Sequence, residues 1–358
     1  MSASSKLSDL YSQVAKKVVD ESLRLKQGET VTIETWTNGL PFARQVVMEA
    51  RRKGAIPLVI YEDEKAYVDG IKNMPKEAIG KMGRHEFSLL SGSDAYIFIP
   101  GPPIGAYAPM LTKEESSNST GYNASWYEAA EKAKLRGVRL TFGYIGRDLA
   151  KLLGKKEEDI VRVQLKSVLL LNSPEMKQKG EAIAQTLQDG SAVSLGSGSG
   201  EKLEFKLKGD LVVEDGVVDE KDIAESNNVG YLPPGIVQKS VDDSSASGSV
   251  KISPSVTRLG LTSEATLHFE SGKLVRWEAG SKASKNKLNE LMGAIPEANR
   301  TLKAITIGFN PSMKYGYAQD RFVAGAVGLV GIGFTAMVRR GDLSVNGKPI
   351  ITKGSLSV

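Results

Sequence analysis

Along the first half of this chain, apolar residues recur by turns at helical and at strand spacing. Leu10, Val14, Val18 and Leu25 fall close to a 3.6-residue period, which predicts a helix over 7–25 that Gly28 stops. Thr30 to Thr35 is rich in β-branched residues and reads as a strand. Asn38 is placed to cap, and Pro41 to open, a second helix that runs to Lys53 and ends at Gly54. Pro57 to Tyr61 is a second strand, and Asp94 to Ile99 a third, closed by Pro100-Gly101-Pro102-Pro103. A helix over 125–136 leads to a fourth strand over 138–142. Strands alternating with helices of this length predict βαβ units around a mostly parallel sheet.

The period changes after about residue 190. In Lys202 to Lys208, Leu203, Phe205 and Leu207 alternate with lysine and glutamate, the pattern of a half-exposed strand. Leu267 and Phe269 alternate with Thr266, His268 and Glu270, and Ser271-Gly272 turns the chain into a strand over 274–277. A helix over 284–292, with Ser284 as its cap, precedes strands over 305–308, 327–333, 335–339 and 343–345. Asn346-Gly347 supplies the last hairpin turn. The expected fold is an α/β N-terminal domain with a mostly parallel sheet over 1–185, then a mainly antiparallel α+β domain over 186–358.

Composition narrows the chemistry. The chain has 358 residues, no cysteine, two histidines and a formal net charge of +5. Thiol nucleophiles, disulfides and thiolate metal sites are excluded, and histidine-based catalysis is tightly limited. Basic residues are scattered in short clusters such as Arg51-Arg52-Lys53, with no groove-reading motif, so nucleic-acid binding is not expected. The longest apolar run, Ala324 to Val338, is too short to span a bilayer and suits paired buried strands. Without a secretory pattern in the first ten residues, a cytoplasmic protein is expected.

Few segments carry chemistry by themselves. Gly196-Ser197-Gly198-Ser199-Gly200 follows a strand as a phosphate loop would, but another strand comes next, so a hairpin loop is expected. Pro100 to Pro103 lies beyond the carboxyl end of a parallel strand, where open α/β sheets bind ligands, and reads equally as a rigid rim. Asp320-Arg321, with Lys314, Tyr315 and Tyr317 upstream, is the densest mix of polar groups in the second half.

Several motifs, in order, resemble those of the aminopeptidase T family of two-metal peptidases. Gln27 to Val31 and Gly54 to Val59 are similar to its first βαβ unit. Leu232-Pro233-Pro234-Gly235 resembles the turn before its first metal-binding glutamate, and Leu267 to Leu274 resembles a hairpin of the family. Ile307-Gly308-Phe309-Asn310-Pro311 resembles its Gly-x-Asn-Pro motif, and the stretch from Asp320 loosely resembles a later metal segment. The resemblance implies an aminopeptidase with zinc, cobalt or manganese, a peptide substrate and a homodimer. Yet the positions it assigns to metal ligands hold Ile236, Ala304, Gly328 (or Val327), Phe334 and Ala336. None has a side-chain donor for a divalent ion. A branch of the same fold resembles iron-dependent ring-cleaving dioxygenases, whose ligand positions are equally apolar here.

The leading expectation is thus a non-catalytic relative, a binding or scaffold protein without metal, in which Ile236, Ala304, Leu329 and Phe334 fill the former metal site as core. A second is an aminopeptidase with relocated ligands such as His268, Asp320, Glu264 or Asp342. A third is a metal-independent enzyme that uses Arg321, Tyr315, Tyr317 or Lys314 as acid, base or anion clamp.

Overall fold

The computed structural model describes residues 3–104, 120–198, 200–257, 260–293 and 295–357. The chain divides into two compact units, Met1–Asn172 with Gly216–Pro233, and Ser173–Asp215 with Pro234–Val358. The first holds a parallel sheet and the second an antiparallel one, so the α/β and α+β architectures are both present.

In the first unit, β1 (Thr30–Trp36), β2 (Ile56–Glu62), β3 (Ala95–Ile99), β4 (Arg136–Leu140) and β7 (Val229–Leu232) pair in the order β2-β1-β3-β4-β7. Helices α1 (Ala3–Lys17) and α2 (Leu40–Arg52) pack together, and α2 also packs on β1. Phe42, Ala43, Val46 and Ala50 form the buried stripe of α2. After α3 (Glu64–Asn73) and α4 (Arg84–Ser91) comes α5 (Thr120–Lys132), which packs on α4. Leu90, Tyr96, Ala130 and Leu135 make their shared core. α6 (Arg147–Leu152) and α7 (Glu157–Val168) complete the unit.

Three sequence expectations need correction here. Asn38 does not cap α2, whose cap residue is Gly39. The Asn38 amide donates instead to the carbonyls of Gly143 and Ile145, at 2.6 and 3.1 Å, so a tertiary partner outcompetes the local cap. The helix expected over 125–136 ends at Lys132, and β4 begins at Arg136. Lys134, with φ of 52°, makes the turn between them.

The second unit opens with α8 (Pro174–Asp189). Ser173 caps it by accepting from the Met176 N–H at 3.3 Å, and Met176, Gly180, Ile183 and Leu187 form its buried stripe. This helix packs on β6 (Lys202–Glu214) and β8 (Ile236–Val241). The sheet runs β16-β15-β14-β8-β6-β5-β17-β18-β19. Its members are β5 (Ala192–Gly196), β14 (Ala304–Gly308), β15 (Val327–Val330), β16 (Ala336–Val338), β17 (Asp342–Val345), β18 (Lys348–Thr352) and β19 (Ser355–Leu356). A branch of β9 (Ser247–Ile252), β12 (Ala265–Glu270) and β13 (Lys273–Ala279) joins through β6. Short α9 (Glu220–Ala224) belongs to the first unit, and α10 (Lys282–Gly293) to the second. The hydroxyl of Ser281, not of Ser284, caps α10 by accepting from the Ser284 N–H at 3.1 Å. The run over 324–338 forms the antiparallel pair β15 and β16, and the glycine-rich loop is a β5-β6 hairpin.

A partly buried carboxyl lies in the parallel sheet. Burial pushes the Glu34 carboxyl up from 4.5 to about 7, against the Tyr96 hydroxyl that donates to it. Between those two values the folded chain holds a proton that the unfolded chain has released, so stability falls as pH rises through that window. Urea unfolding near pH 5 and near pH 8 should show wild type losing about 2–3 kcal/mol more than Glu34→Gln over that interval.

Candidate functional site

The motif frame in the second unit is built around one buried amide. The side-chain NH2 of Asn310, which is wholly buried, donates to the Pro234 carbonyl at 2.8 Å. The Phe309 N–H donates to the Gly235 carbonyl at 2.8 Å, and the Gly235 N–H to the Glu214 carbonyl at 2.8 Å. The Asn310 side-chain oxygen accepts from the Ser312 N–H at 3.0 Å. Gly235 has φ of 117°, and a Cβ there would press on Asn310 and Met176. A Cβ on Gly308 would strike the carbonyls of Arg321 and Val323. The two glycines therefore answer a packing demand, and together these bonds hold β8, β14 and the end of β6 in place.

Strand register locates the positions that the motifs assign to metal ligands. Gly308 pairs with Ile236, Thr306 with Gln238 and Gly328, and Ala304 with Ser240 and Val330. Side chains alternate between faces along a strand, so Ile236, Gly328 and Ala304 share one face. Ile236 and Ala304 stand about 13 Å apart along the strands, four residue steps, with Gly328 halfway. Ala336 pairs with Leu329 and so belongs to the opposite face. Ile236, Ala304, Leu329 and Ala336 are all buried. Phe334 departs from the expected core role, being half-buried in the loop between β15 and β16.

The residues on the shared face do not fit a pair of divalent ions. Ile236 and Ala304 have no donor atoms, and Gly328 has no side chain. Thr306 Oγ1, Thr335 Cγ2 and the Met337 sulfur fill the space a Cβ on Gly328 would enter. Thr306 Oγ1 is buried with no hydrogen-bond partner. A neutral hydroxyl, the Gln238 carboxamide and a thioether supply no negative charge to offset two metal ions. Among the described residues, no group of three or more His, Asp or Glu could hold a metal.

The other candidates are tied into local structure. His268, on β12, lies against β13, with Nδ1 at 3.3 Å from an Arg276 nitrogen and Nε2 at 3.6 Å from Glu278. Glu264 pairs with Lys251 at 2.7 Å, and Asp342 accepts from the Lys353 N–H at 2.7 Å. Asp320 is buried, paired with Arg339, and accepts from the Gly316 N–H at 2.9 Å. Burial raises its carboxyl above the ordinary aspartate value, while Arg339 and the Gly316 N–H pull it down. The Arg339 guanidinium also lies 4.9 Å from the centroid of the Tyr315 ring, and burial pushes that phenol up to about 12. Tyr317 sits in a turn, its N–H donating to the Lys314 carbonyl, and Lys314 is exposed. The Arg321 guanidinium lies over the Phe322 ring at 5.0 Å. Asp320, Tyr315 and Arg339 thus form one cluster that pins the loop before β15.

A parallel α/β unit combined with an antiparallel unit, with the Pro-Pro-Gly and Gly-Phe-Asn-Pro frames joined, defines a two-domain aminopeptidase T-like fold. The solved structure of wild-type AmpT from Thermus thermophilus is similar, with a TM-score of 0.70, 17% identity, and coverage of 98% of this chain and 99% of that one. A 2,5-dihydroxypyridine dioxygenase from Pseudomonas putida KT2440 is also similar, with a TM-score of 0.63, 12% identity, and coverage of 100% and 99%. No curated protein matches. Residues 8–295 match the family model for thermophilic metalloproteases (M29), and the chain belongs to that family. The matched segment contains Ile236 but stops before Ala304, Gly328, Phe334 and Ala336.

Two substitutions separate frame from ligand positions. Asn310→Ala strands the Pro234 carbonyl and should lower unfolding stability by about 1–3 kcal/mol in urea. Ile236→Glu places an unpaired carboxylate in the core and should cost about 3–5 kcal/mol. Adding zinc or manganese should leave its melting temperature unchanged, whereas rescue by metal would show that the face still assembles a site.

Proposed function

We propose that this chain is a non-catalytic member of the M29 family, a binding or scaffold protein that has kept the aminopeptidase fold without the two-metal chemistry. One observation carries the reading. The shared face of β8, β14 and β15 presents Ile236, Ala304 and Gly328, and the space beside Gly328 is taken by Thr306, Thr335 and Met337. Burying Ile236 contributes roughly 1.5–3 kcal/mol to the second unit, an offset for any lost metal cross-link. In this reading the protein works in the cytoplasm as a homodimer and recognises a peptide or another small molecule, the last two inferred from the family likeness. Among the described residues, no helix is long and apolar enough to cross a membrane.

Metal content and peptide hydrolysis on a single preparation test the proposal. Zinc, cobalt and manganese should stay well below stoichiometric after purification without chelator. Release of N-terminal residues from short peptides should match the blank with each metal added. Stoichiometric metal, or turnover stimulated by it, would overturn the reading in favour of an aminopeptidase with relocated ligands.

A further inference from the structure

In a parallel sheet covered by helices, the residues facing a helix are ordinarily apolar. One row of the first unit's sheet breaks that pattern. Ile60, Glu34, Phe98, Arg139 and Tyr231 are successive register partners from β2 to β7, so all five share one face. Tyr96, two residues before Phe98, shares it too. α5 contributes Tyr122, Trp126 and Tyr127, and these three with Glu34, Tyr96, Phe98 and Arg139 line a cavity of about 40 Å³, room for an ammonium group or a few waters. The rings of Tyr96 and Trp126 meet edge to face at 5.1 Å and 75°, and those of Trp126 and Tyr127 at 5.4 Å and 83°.

The charges around this space are unequal. Arg139 donates to the Tyr144 hydroxyl, lies 3.5 Å from the Tyr127 hydroxyl, and covers the Phe98 ring at 4.9 Å. Its guanidinium, which also lines the cavity, is thus engaged by Phe98, Tyr127 and Tyr144, and it pulls the Glu34 carboxyl down less than Glu86 or Glu62 pushes it up. Glu34 lines the cavity and accepts from the Tyr96 hydroxyl. Glu86, on α4, accepts from the Tyr122 hydroxyl at 2.5 Å, and Glu86 and Glu62 both push the Glu34 carboxyl upward by repulsion. Glu86 also raises Glu62, whose shift is set first by burial. Three carboxylates thus act on this region against Arg139, and a bound cation would relieve their repulsion. Among the described residues Glu34 is the one carboxylate lining the cavity, too few for a hard divalent ion that takes several oxygen ligands. Aromatic faces beside a carboxylate suit an organic cation instead.

We propose that this cavity binds a small organic ammonium cation, with Glu34 as its counter-charge and the rings of Tyr96, Tyr122 and Trp126 as its walls. All of these residues belong to the first unit, whereas Ile236, Ala304, Gly328, Phe334 and Ala336 belong to the second. The site therefore stands or falls separately from the proposed loss of metal chemistry.

Isothermal titration calorimetry on the full chain with methylammonium, and with neutral methanol of similar size, tests the site, with intrinsic tryptophan fluorescence as a second signal. Methylammonium should bind saturably and at least about tenfold more tightly than methanol. Because the Glu34 carboxyl is pushed up to about 7, methylammonium affinity should fall about tenfold from pH 8 to pH 6. Glu34→Gln should abolish both the preference for the cation and the pH dependence. Tyr122→Leu keeps the carboxylate but removes a wall, and should weaken methylammonium about fivefold or more. Circular dichroism confirms that each variant is folded, and if Glu34→Gln is not, the pH series and Tyr122→Leu decide. Equal affinity for methylammonium and methanol, no saturable heat with methylammonium, or undiminished binding in a folded Glu34→Gln would each overturn the proposal.

Discussion

A wholly buried asparagine sets the geometry of the second unit. Asn310 offers its amide to the Pro234 carbonyl and takes the Ser312 N–H, while its neighbour Phe309 bonds Gly235. These bonds fix where β8 starts and where β14 ends, and hence the register that aligns Ile236 with Gly308. Leaving any of these buried groups unpaired costs more than the bond contributes when made. The two motifs surrounding the ligand positions are thus held by backbone satisfaction, a demand that persists whether or not a metal is present. That accounts for a frame surviving around positions with no ligand atoms.

Local pattern revealed most of both units, and its failures have identifiable causes. Alternation along Lys202 to Lys208 and Ala265 to Glu270 gave the right faces, because one side of each strand meets the core and the other water. The Ser271-Gly272 and Asn346-Gly347 turns were legible because each needs two residues at positive φ. β7 escaped notice: four residues long, it pairs in parallel with β4 from far along the chain, and no local period records that. Asn38 looked like a cap because the carbonyls of Gly143 and Ile145 are invisible from residue 38. Phe334 looked like core because composition registers an apolar residue and not the loop that carries it.

The candidate site was legible in a different way. Identity alone showed that Ile236, Ala304 and Gly328 lack donors. Only register showed that they share a face while Ala336 does not. The row through Glu34 was hidden for the same reason. A single glutamate inside Thr30 to Thr35 is unremarkable until four other strands bring Ile60, Phe98, Arg139 and Tyr231 alongside it.

The two units place opposite demands on free energy. In the second, apolar side chains occupy the face that the motifs assign to metal, and their burial adds stability with no further requirement. In the first, a carboxylate is kept where burial holds its proton to about 7, although a leucine or methionine there would be the less costly choice. Arg139 relieves that burden only in part, being the weakest of the charges that act on Glu34, and its guanidinium also serves Tyr144 and Phe98. Local rules of packing are broken most often where a protein does its work. By that measure the Glu34 row, and not the apolar face that the motifs assign to metal, is where this chain bears an energetic cost in need of a functional reason.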